Sequence, residues 1–467
     1  MLHSLLRRHL RVLRLLEVTP GSSSRSTGPF PTSPSSGDLA SKSTLRFPPQ
    51  LRWLSGIPPA GDGVAVLSVA RTPMGRFQGG LAEFSAPALG GIAIREALAR
   101  GGVRPEEVEE VFMGNVLAAG VGQAPGRQAA LGAGLPVSAP CTTVNKVCAS
   151  GLKAVMLGFA SIKAGVASVV VAGGMESMSN VPYYLPGARD ALRMGHRTLV
   201  DSLPPKAATT PKPLLRDSLF DTLPDNRRTL VDGMIQDGLW DPHNDVHMGA
   251  CAEACAERYG ISREQQDDMA ISSFRRALEA REDSMWEITP VERPGTGEGS
   301  VVDADEGLGT LDEVKLRRLK PAFAEGGTIT AGNASQISDG AAAVVLASQS
   351  RAEEMGAAVL ARVLSVADAA QEPKWFTTTP ALAVAKVVER GGLTMADVDY
   401  FEINEAFAVV ELVNRGILGL DSERTFRGAH GRELMRRRGG RFGVAAICNG
   451  GGGASAVLVE RVETAGG

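Results

Sequence analysis

The sequence has few of the features that mark membrane, secreted or nucleic-acid-binding proteins. It contains no run of about 18 or more apolar residues, which excludes an ordinary membrane-spanning helix. Five cysteines in 467 residues are an odd and sparse set, unlike a disulfide framework, and they fit a reducing compartment. A net charge of -3 offers no global reason to expect a nucleic-acid partner. We therefore predict no membrane and no nucleic-acid partner.

The composition is that of a globular protein that binds small or neutral ligands. Hydrophobic residues make up 43% of the chain and charged residues 22%, while aromatic residues contribute only 5%. A chain of this length and composition can bury about two or three cores of ordinary domain size.

The first sixty residues differ in kind from the rest. "MLHSLLRRHLRVLRLLEV" interleaves leucines with four arginines and contains no acid before Glu17, which is typical of a mitochondrial transit peptide. Residues 18–60 are rich in Ser, Pro and Gly and too poor in apolar residues to build a core. We predict that residues 1–60 are a transit peptide and flexible leader, with a basic helix on a membrane surface as the alternative.

From Gly63 onwards, strand-like runs alternate with helical ones. "GVAVLSVA" and "ASVVVAGG" read as strands, and "PALGGIAIREALARGG" reads as a helix. Such alternation predicts an α/β fold with largely parallel strands. A second α/β stretch includes "VDYFEINEAFAVVELV" and two strands around a glycine run, "FGVAAICNGGGGASAVLVE". The sequence therefore predicts two α/β halves.

A polar and poorly periodic middle separates the two halves. It contains "RTLVD" twice, at 197–201 and 228–232, and two copies of five residues do not make a repeat architecture. We interpret the stretch between them as an inserted segment. The predicted regions are an N-terminal half at 61–180, a loop domain with the insertion at 181–320, a return to the N-terminal half at 321–350 and a C-terminal half at 358–467.

Cys148 lies between a β-branched run and an apolar helix. Apolar residues recur after it at helical spacing, from Leu152 to Ile162, so we place Cys148 at a helix N-terminus. Free cysteine is often a small buried core residue. However, helix N–H groups can lower a thiol's pKa and can hold a developing oxyanion. The sequence leaves a core residue and a nucleophile as alternatives at this point.

Cys448 strengthens the catalytic interpretation. It ends a predicted strand and precedes Asn449 and four glycines, Gly450 to Gly453, where no side chain blocks a ligand or another loop. Core packing would explain the cysteine but not the glycines. A glycine run by itself is a weak signal, because tight turns also need glycine.

Six motifs occur in the order found in one enzyme family. They are "NKVCASG", "GGMESMSNVPYY", "HMG", "TAGNASQISDG", "EINEAF" and "CNGGGGAS". In these motifs the chain resembles a thiolase, over about residues 63–419 and 442–460. The resemblance implies two similar α/β halves, a loop domain that holds coenzyme A, and a homo-oligomer, either a dimer or a tetramer. It also implies the reversible condensation of two acetyl-CoA to acetoacetyl-CoA and coenzyme A, with coenzyme A thioesters as substrates and no permanently bound cofactor.

The resemblance also implies a role for individual residues. Cys148 matches the nucleophile that carries the acetyl group, and Cys448 matches the acid/base that takes a proton from the second acetyl-CoA. Backbone N–H groups of Cys148 and Gly450 would form one oxyanion hole, and Asn404 would hold a water for another. The positions that match the coenzyme and acyl pocket are His247, Met248, Lys315, Phe323, Ala331 and Ser335.

Two departures from the family pattern affect these implications. Met269 stands where the mitochondrial enzyme has a tyrosine that helps to hold potassium, and a thioether cannot replace an oxygen ligand for a hard cation. The family's "GGAxxxGHPxGxSGAR" loop, whose histidine completes the active site, is replaced by "TFRGAHGRELMRRRGG". His430 is the histidine in that stretch, and its register predicts that it does not reach the thioester. We therefore expect no potassium activation and no metal site.

Three other interpretations of the sequence stay open. The chain could be a thiolase for longer 3-ketoacyl-CoA substrates, or a catalytically impaired isoform that lacks the histidine loop. A redox-sensor thiol would require Cys148 to be exposed beside a resolving cysteine, and the sequence places none there. Cys251 and Cys255 share a helical spacing, but without two further ligands they are expected to be buried residues and not a zinc site.

Overall fold

The structure is a computed structural model that describes residues 62–188, 230–279, 282–294, 300–421 and 440–462. The predicted leader, the first "RTLVD" copy and His430 lie outside the described residues. Within the part described, no helix is both long enough and apolar enough to span a bilayer.

The strands fall into one large sheet and several two-stranded sheets. The strands of the large sheet are β1 (Val64–Arg71), β2 (Gly75–Arg76), β3 (Glu110–Gly114), β4 (Cys141–Val144), β5 (Val169–Ser177), β12 (Ser338–Ser348), β13 (Ala361–Ala370), β14 (Tyr400–Ile403), β15 (Phe442–Asn449) and β16 (Gly453–Arg461). The short hairpins are β8 (Trp240–Asp241) with β9 (Val246–His247) and β10 (Val291–Glu292) with β11 (Val301–Val302), and β6 (Tyr183–Tyr184) pairs with β7 (Val231–Asp232), distant in sequence, as a separate two-stranded sheet.

The α-helices of the described residues connect and cover these strands. They are α1 (Ala86–Gly101), α2 (Pro125–Gly132), α3 (Ser150–Lys163), α4 (Met248–Tyr259), α5 (Arg263–Glu279), α6 (Glu313–Arg317), α7 (Gln349–Glu354), α8 (Thr379–Arg390) and α9 (Ala408–Leu418). A short 3₁₀ helix, Pro373–Thr378, precedes α8.

The large sheet is mixed, so the prediction of largely parallel strands is wrong. Its order is β14-β15-β16-β13-β1-β12-β5-β3-β4, and β2 pairs with β12. The pairs β14–β15, β5–β3 and β3–β4 are parallel, whereas the remaining pairs are antiparallel. The sequence pattern missed this because antiparallel strands that are buried on both faces show the same continuous apolar runs as parallel strands.

The two α/β halves repeat one strand order, and the predicted two-half architecture is confirmed. The N-terminal half runs β1-β12-β5-β3 outward from the middle of the sheet, and the C-terminal half runs β13-β16-β15-β14. The halves meet where β1 pairs with β13, with Val64 opposite Val363 and Val66 opposite Ala361. The N-terminal half adds β4 at its outer edge.

Both faces of the sheet are buried. Alternate residues of β1 point to opposite sides, so Val64 and Val66 join one apolar cluster while Ala65 and Leu67 join another. The first cluster contains Cys148 and Cys448 and is built from both halves. The central helix α3 supplies much of it, which confirms the helical face predicted after Cys148.

The middle region contains more regular structure than its sequence pattern indicated. Helices α4 and α5 lie in it, although α5 is polar enough along its length to hide its periodicity. Buried Arg71 at the end of β1 ties this region to the sheet: its guanidinium lies 2.6 Å from a carboxylate oxygen of Glu287 and 2.6 Å from one of Asp305. A buried arginine is tolerated because its charge is paired and hydrogen-bonded.

Candidate active site

Cys148 lies in a strained turn between β4 and α3. The residue before it, Val147, has φ of 46°, a left-handed conformation that is unusual for a β-branched side chain. Local hydrogen bonds brace the turn. The Asn145 side chain accepts from the Val147 N–H at 2.9 Å, and the Ser150 hydroxyl donates to the Val147 carbonyl at 2.6 Å. Strain of this kind persists only where the surroundings hold it, and it occurs often at functional sites.

Close packing beneath the turn requires glycine. A Cβ on Gly114, at the end of β3, would lie 2.6 Å from the backbone nitrogen of Gly151, at the start of α3. A Cβ on Gly174 of β5 would lie 3.3 Å from the Gly151 Cα. The N-terminus of α3 therefore sits directly on the carboxyl ends of two strands, with Cys148 at the junction.

The Cys148 thiol is fully buried, and its burial excludes the redox-sensor interpretation. Burial raises the pKa of Cys148, and the nearby Glu176 carboxylate adds to this rise. The backbone N–H groups of Gly450 and of Cys148 itself oppose this rise in pKa. The expectation that the helix N-terminus lowers the thiol's pKa is thus wrong for this structure, since desolvation outweighs the N–H groups.

Cys448 is buried near the end of β15, across the hairpin from Ala454. The glycine turn that follows makes contacts on two sides. Gly452 has φ of 80°, and a Cβ there would lie 2.1 Å from the Gln371 carbonyl oxygen. A Cβ on Gly450 would lie 3.6 Å from Cγ1 of Val147. Because these residues lack side chains, Gly452 can approach the end of β13 and Gly450 can approach the turn that carries Cys148.

Asn404 follows β14 and is buried. Its backbone N–H donates to the Ala446 carbonyl at 2.9 Å, but neither atom of its side-chain amide has a hydrogen-bond partner among the residues that the structure describes. A buried amide without a partner is rare and indicates a bound water or ligand group. This is the environment expected for a residue that holds a water in the site.

The pocket residues around His247 form an aromatic group. His247 caps α4, because its Nδ1 accepts from the Gly249 N–H at 3.0 Å. Its ring stacks on Phe323 with centroids 4.7 Å apart, and Phe323 meets Phe407 edge-on at 6.2 Å. Burial lowers the pKa of His247, which favours the neutral ring that the cap requires.

Glycine is again necessary in this aromatic group. A Cβ on Gly249 would lie 2.4 Å from the ring of Phe323. Met248, the residue between His247 and Gly249, is buried, and its Cε would lie 3.8 Å from a Cβ on Gly450. The "HMG" motif therefore connects the aromatic group to the cysteine pair.

The segment from Thr328 to Ser335 packs on the "EINEAF" motif. Ser335 donates its N–H to the Ala406 carbonyl at 3.0 Å, and within the described part of the chain its buried hydroxyl has no hydrogen-bond partner. The Glu253 carboxylate on α4 orders the start of this segment by accepting from the N–H groups of Thr328 and Ile329 at 2.8 to 2.9 Å. Ala331 is exposed in the same segment.

Lys315 lies apart from the buried residues. It is exposed on α6, and its N–H donates to the Asp312 cap at 2.9 Å. The structure thus brings Cys148, Cys448, Gly450 and Met248 into one buried region and places Lys315 on the surface.

The side chain of Met269 cannot serve as an oxygen ligand for potassium. Met269 is buried in α5, and its thioether sulfur offers no hard oxygen ligand. No group of three or more potential metal ligands occurs among the described residues. Cys251 and Cys255 are buried on α4, and burial raises the pKa of each thiol to about 11.

Two domain profiles identify the family of this chain. A thiolase N-terminal domain profile matches residues 64–350, and a thiolase C-terminal domain profile matches residues 357–431. The chain belongs to the thiolase family. The thiolase is 50% identical to acetyl-CoA acetyltransferase 1 of Arabidopsis thaliana over 86% of this chain and 97% of that one. It is 44% identical to a mitochondrial acetyl-CoA acetyltransferase of Aspergillus fumigatus, over 85% and 90% of the two chains.

A solved structure agrees with this assignment. The thiolase resembles the Acat5 thiolase from Ascaris suum in complex with coenzyme A, with a TM-score of 0.72 and 36% identity over 86% of this chain and 100% of that one. The relatives include cytosolic as well as mitochondrial enzymes.

Sequence reasoning missed two residues that shape the site of the thiolase. Glu176 is buried beside the nucleophile and accepts from Asn115, Val116 and Leu117 at 2.8 to 3.1 Å. Burial raises the pKa of Glu176 to about 7. Val147 is the other, and its strain has no sequence signal. Glu176 had one, since a lone acid in the apolar run "VVVAGGMES" is unusual.

Proposed function

We propose that this thiolase catalyses the reversible condensation of two acetyl-CoA to acetoacetyl-CoA and coenzyme A, through an acetyl group carried on Cys148. The observation that carries the proposal is the fully buried Cys148 thiol, whose turn lies against Gly450 of the other half: a Cβ on Gly450 would lie 3.6 Å from Cγ1 of Val147. Relatives named acetyl-CoA acetyltransferase, at 40–50% identity over most of the chain, support this substrate over a longer 3-ketoacyl-CoA.

In the first half-reaction, Sγ of Cys148 attacks the thioester carbon of acetyl-CoA. The S–C bond to coenzyme A breaks, and the coenzyme leaves as a thiol that carries the proton given up by Cys148. Negative charge develops on the carbonyl oxygen meanwhile, and we assign its stabilisation to the N–H groups of Cys148 and Gly450. Because burial raises the pKa of Cys148, this step needs a group that accepts the thiol proton.

In the second half-reaction, Cys448 removes a proton from the methyl group of a second acetyl-CoA. The resulting carbanion attacks the acetyl carbon on Cys148, and the Cys148 sulfur leaves as the new C–C bond forms. The partnerless amide of Asn404 supports its role in holding a water that stabilises the enolate oxygen. We assign proton transfer to Cys448 because its hairpin lies beside the nucleophile turn.

The remaining pocket residues are proposed to hold the coenzyme. The stacked pair of His247 and Phe323 offers an aromatic wall, and the unpaired hydroxyl of Ser335 offers a polar contact. We also propose that Met248, which lies beside Gly450, and the exposed residues Ala331 and Lys315 contact the coenzyme.

The proposal is tested by labelling. The protein is incubated with radiolabelled acetyl-CoA, digested, and its peptides are analysed for label. We expect label on the Cys148 peptide alone. Label on another cysteine would refute the assignment of the nucleophile, and the absence of any label would refute the acyl-enzyme route.

Two further proposals concern the cellular location and the oligomeric state of the protein. The Arg/Leu segment before Glu17 supports import into the mitochondrial matrix, and a mitochondrial relative accords with it. A fluorescent reporter fused to residues 1–60 should enter mitochondria, and a cytosolic reporter would contradict the proposal. We also propose a dimer or tetramer, which light scattering of the purified protein measures.

A further inference from the structure

We propose that Lys146 and Asp368 form a salt bridge that positions the Cys148 turn against the Cys448 hairpin, and that both are positioning residues of the reaction. The proposal rests on the proposed function for its kinetic consequence. Independently of that function, the bridge would hold the two cysteine-bearing segments together.

The contacts of the bridge join four segments, namely the Cys148 turn, β13, β16 and α3. The Lys146 ammonium donates to Oδ1 of Asp368, and it donates to the Ser455 hydroxyl at 2.7 Å. The Ser455 hydroxyl also donates to Oδ1 of Asp368 at 2.7 Å. The other carboxylate oxygen, Oδ2, accepts from Lys153 on α3 at 2.6 Å.

The location of these groups makes the bridge relevant to catalysis. Lys146 lies two residues before the nucleophile, in the N-terminal half. Asp368 and Ser455 face each other on β13 and β16, in the C-terminal half. Ser455 lies across the hairpin from Ile447, next to Cys448. One ammonium group therefore connects the turn that carries Cys148 to the strand opposite Cys448.

The strain at Val147 explains why the turn needs such a connection. A β-branched residue in the left-handed conformation is strained and relaxes unless its surroundings prevent it. The bonds from Asn145 and Ser150 are internal to the turn. They shape it but do not set its distance from Gly450. The Lys146 bridge acts between the halves and so can set that distance.

The bridge is partly buried and remains charged. Burial opposes ionisation of Asp368, but hydrogen bonds from Lys146, Lys153 and Ser455 lower the pKa of Asp368 to about 2. Salt screens a partly buried ion pair less than an exposed pair. The bridge therefore keeps its geometry better than a surface pair would. The carboxylate is therefore ionised throughout the neutral range.

The test compares Lys146→Met with Lys153→Met in the full chain. Both substitutions remove one lysine from the same carboxylate and keep the aliphatic stem, but Lys153 belongs to α3 and not to the turn. Three readouts are used: the rate of Cys148 acetylation by acetyl-CoA, kcat and KM for thiolysis, and the rate at which iodoacetamide alkylates Cys148, measured by peptide mass spectrometry.

We expect Lys146→Met to slow acetylation by about ten- to a hundredfold, because small misplacements of reacting atoms have effects of this size. The loss should fall on kcat with KM for coenzyme A nearly unchanged, and alkylation of Cys148 should become faster as the turn loosens. Lys153→Met should leave alkylation unchanged. Asp368→Asn, with Ser455→Ala as a second variant should it not fold, should resemble Lys146→Met.

Equal acetylation and alkylation rates in Lys146→Met and Lys153→Met would overturn the proposal. If the wild-type chain is not acetylated at all, the proposed function fails, and the alkylation rates still decide whether the bridge holds the turn. A uniform loss of thermal stability with unchanged alkylation in both lysine variants would reduce the bridge to an ordinary stabilising contact and also refute the proposal.

Discussion

The two halves of the molecule share a strand order but present their cysteines differently. In the N-terminal half, the additional strand β4 leads into a strained turn and the start of α3, where the Cys148 thiol is buried. In the C-terminal half, Cys448 lies on the hairpin strand β15, and closely packed glycines follow it. The same strand order therefore places Cys148 in a turn suited to charge stabilisation in one half. In the other half it places the Cys448 side chain beside a closely packed glycine loop.

This difference predicts different losses when each cysteine is removed. Cys148→Ala should abolish acyl-enzyme formation and reduce both condensation and thiolysis by at least about a thousandfold, because the acyl group has no other acceptor. Steady-state assays in both directions measure the loss. Cys141→Ala, which changes the half-buried thiol at the start of β4, is the matched control and should retain activity. Substantial thiolysis by Cys148→Ala would contradict the assignment.

Cys448→Ala should separate the two half-reactions. Acetylation of Cys148 should persist within about tenfold of the wild-type rate, whereas condensation should fall by about a thousandfold, since the methyl proton has no base. Exchange of deuterium into the acetyl-CoA methyl group gives a direct readout of the proton transfer. If acetylation of Cys148 and condensation decline together in this variant, the two cysteines do not have the separate roles assigned to them.

Restoring the family's histidine loop should raise activity. The stretch between α9 and β15 lacks "GGAxxxGHPxGxSGAR", whose histidine donates a hydrogen bond to the thioester oxygen in the family pattern. Removing one such donor typically costs about 10²- to 10³-fold in rate. Insertion of this loop before residue 428 should therefore accelerate thiolysis by about that factor.

The same loop with its histidine replaced by alanine is the control for this insertion. Equal turnover by the unmodified chain and the histidine-containing chain would indicate that His430 substitutes for the missing histidine, or that our interpretation of the site is wrong.

Glu176 predicts a pH dependence of stability in the N-terminal half. Its folded pKa of about 7 exceeds the ordinary 4.5, so the folded protein holds this proton more tightly than the unfolded chain. The resulting stabilisation is fully present below pH 4.5 and is lost as pH rises through 7. It amounts to about 3 kcal/mol.

Denaturant titrations between pH 4.5 and pH 8 should show this decline in the wild type and a flatter profile in Glu176→Gln. Glu257→Gln, at an exposed position of α4, should keep the wild-type slope. An unchanged slope in Glu176→Gln would show that Glu176 is ionised throughout this range.

The smallest effect is expected at the coenzyme wall. His247→Asn retains a good N-cap for α4 but removes the ring stacked on Phe323. An aromatic pair contributes about 0.5–1.5 kcal/mol, so KM for acetyl-CoA should rise by about two- to tenfold with little change in kcat. His243→Asn, outside the stacked pair, is the control. A large fall in kcat would instead assign His247 to the chemistry.

Much of the fold was predictable because it depends on local pattern. The apolar spacing after Cys148 predicted α3, and the runs "GVAVLSVA" and "ASVVVAGG" predicted β1 and β5. Strand direction was not predictable, because a fully buried strand looks alike in parallel and antiparallel sheets. Helix α5 was missed because its apolar face is narrow within a polar sequence.

The candidate site, like the fold, was only partly predictable from the sequence. The residue types at Cys148, Cys448 and Asn404 and the glycines around them were visible in the motifs, which also identified the family. The direction of the Cys148 pKa shift was not visible, since it depends on how completely the fold buries the thiol. Neither Glu176 nor the Lys146–Asp368 bridge could be inferred, because their partners lie 59 to 222 residues apart in sequence.

The sequence by itself determined the chemical groups available to this protein and the local elements that carry them, because helix periodicity, strand runs and glycine turns are written in neighbouring residues. Only the tertiary structure decided which groups meet. The pairing of β1 with β13 joins the two halves, and Gly450 lies against Val147, about three hundred residues earlier in the chain. Burial, charge proximity and backbone strain arise from such distant contacts, so they exist only in the folded chain.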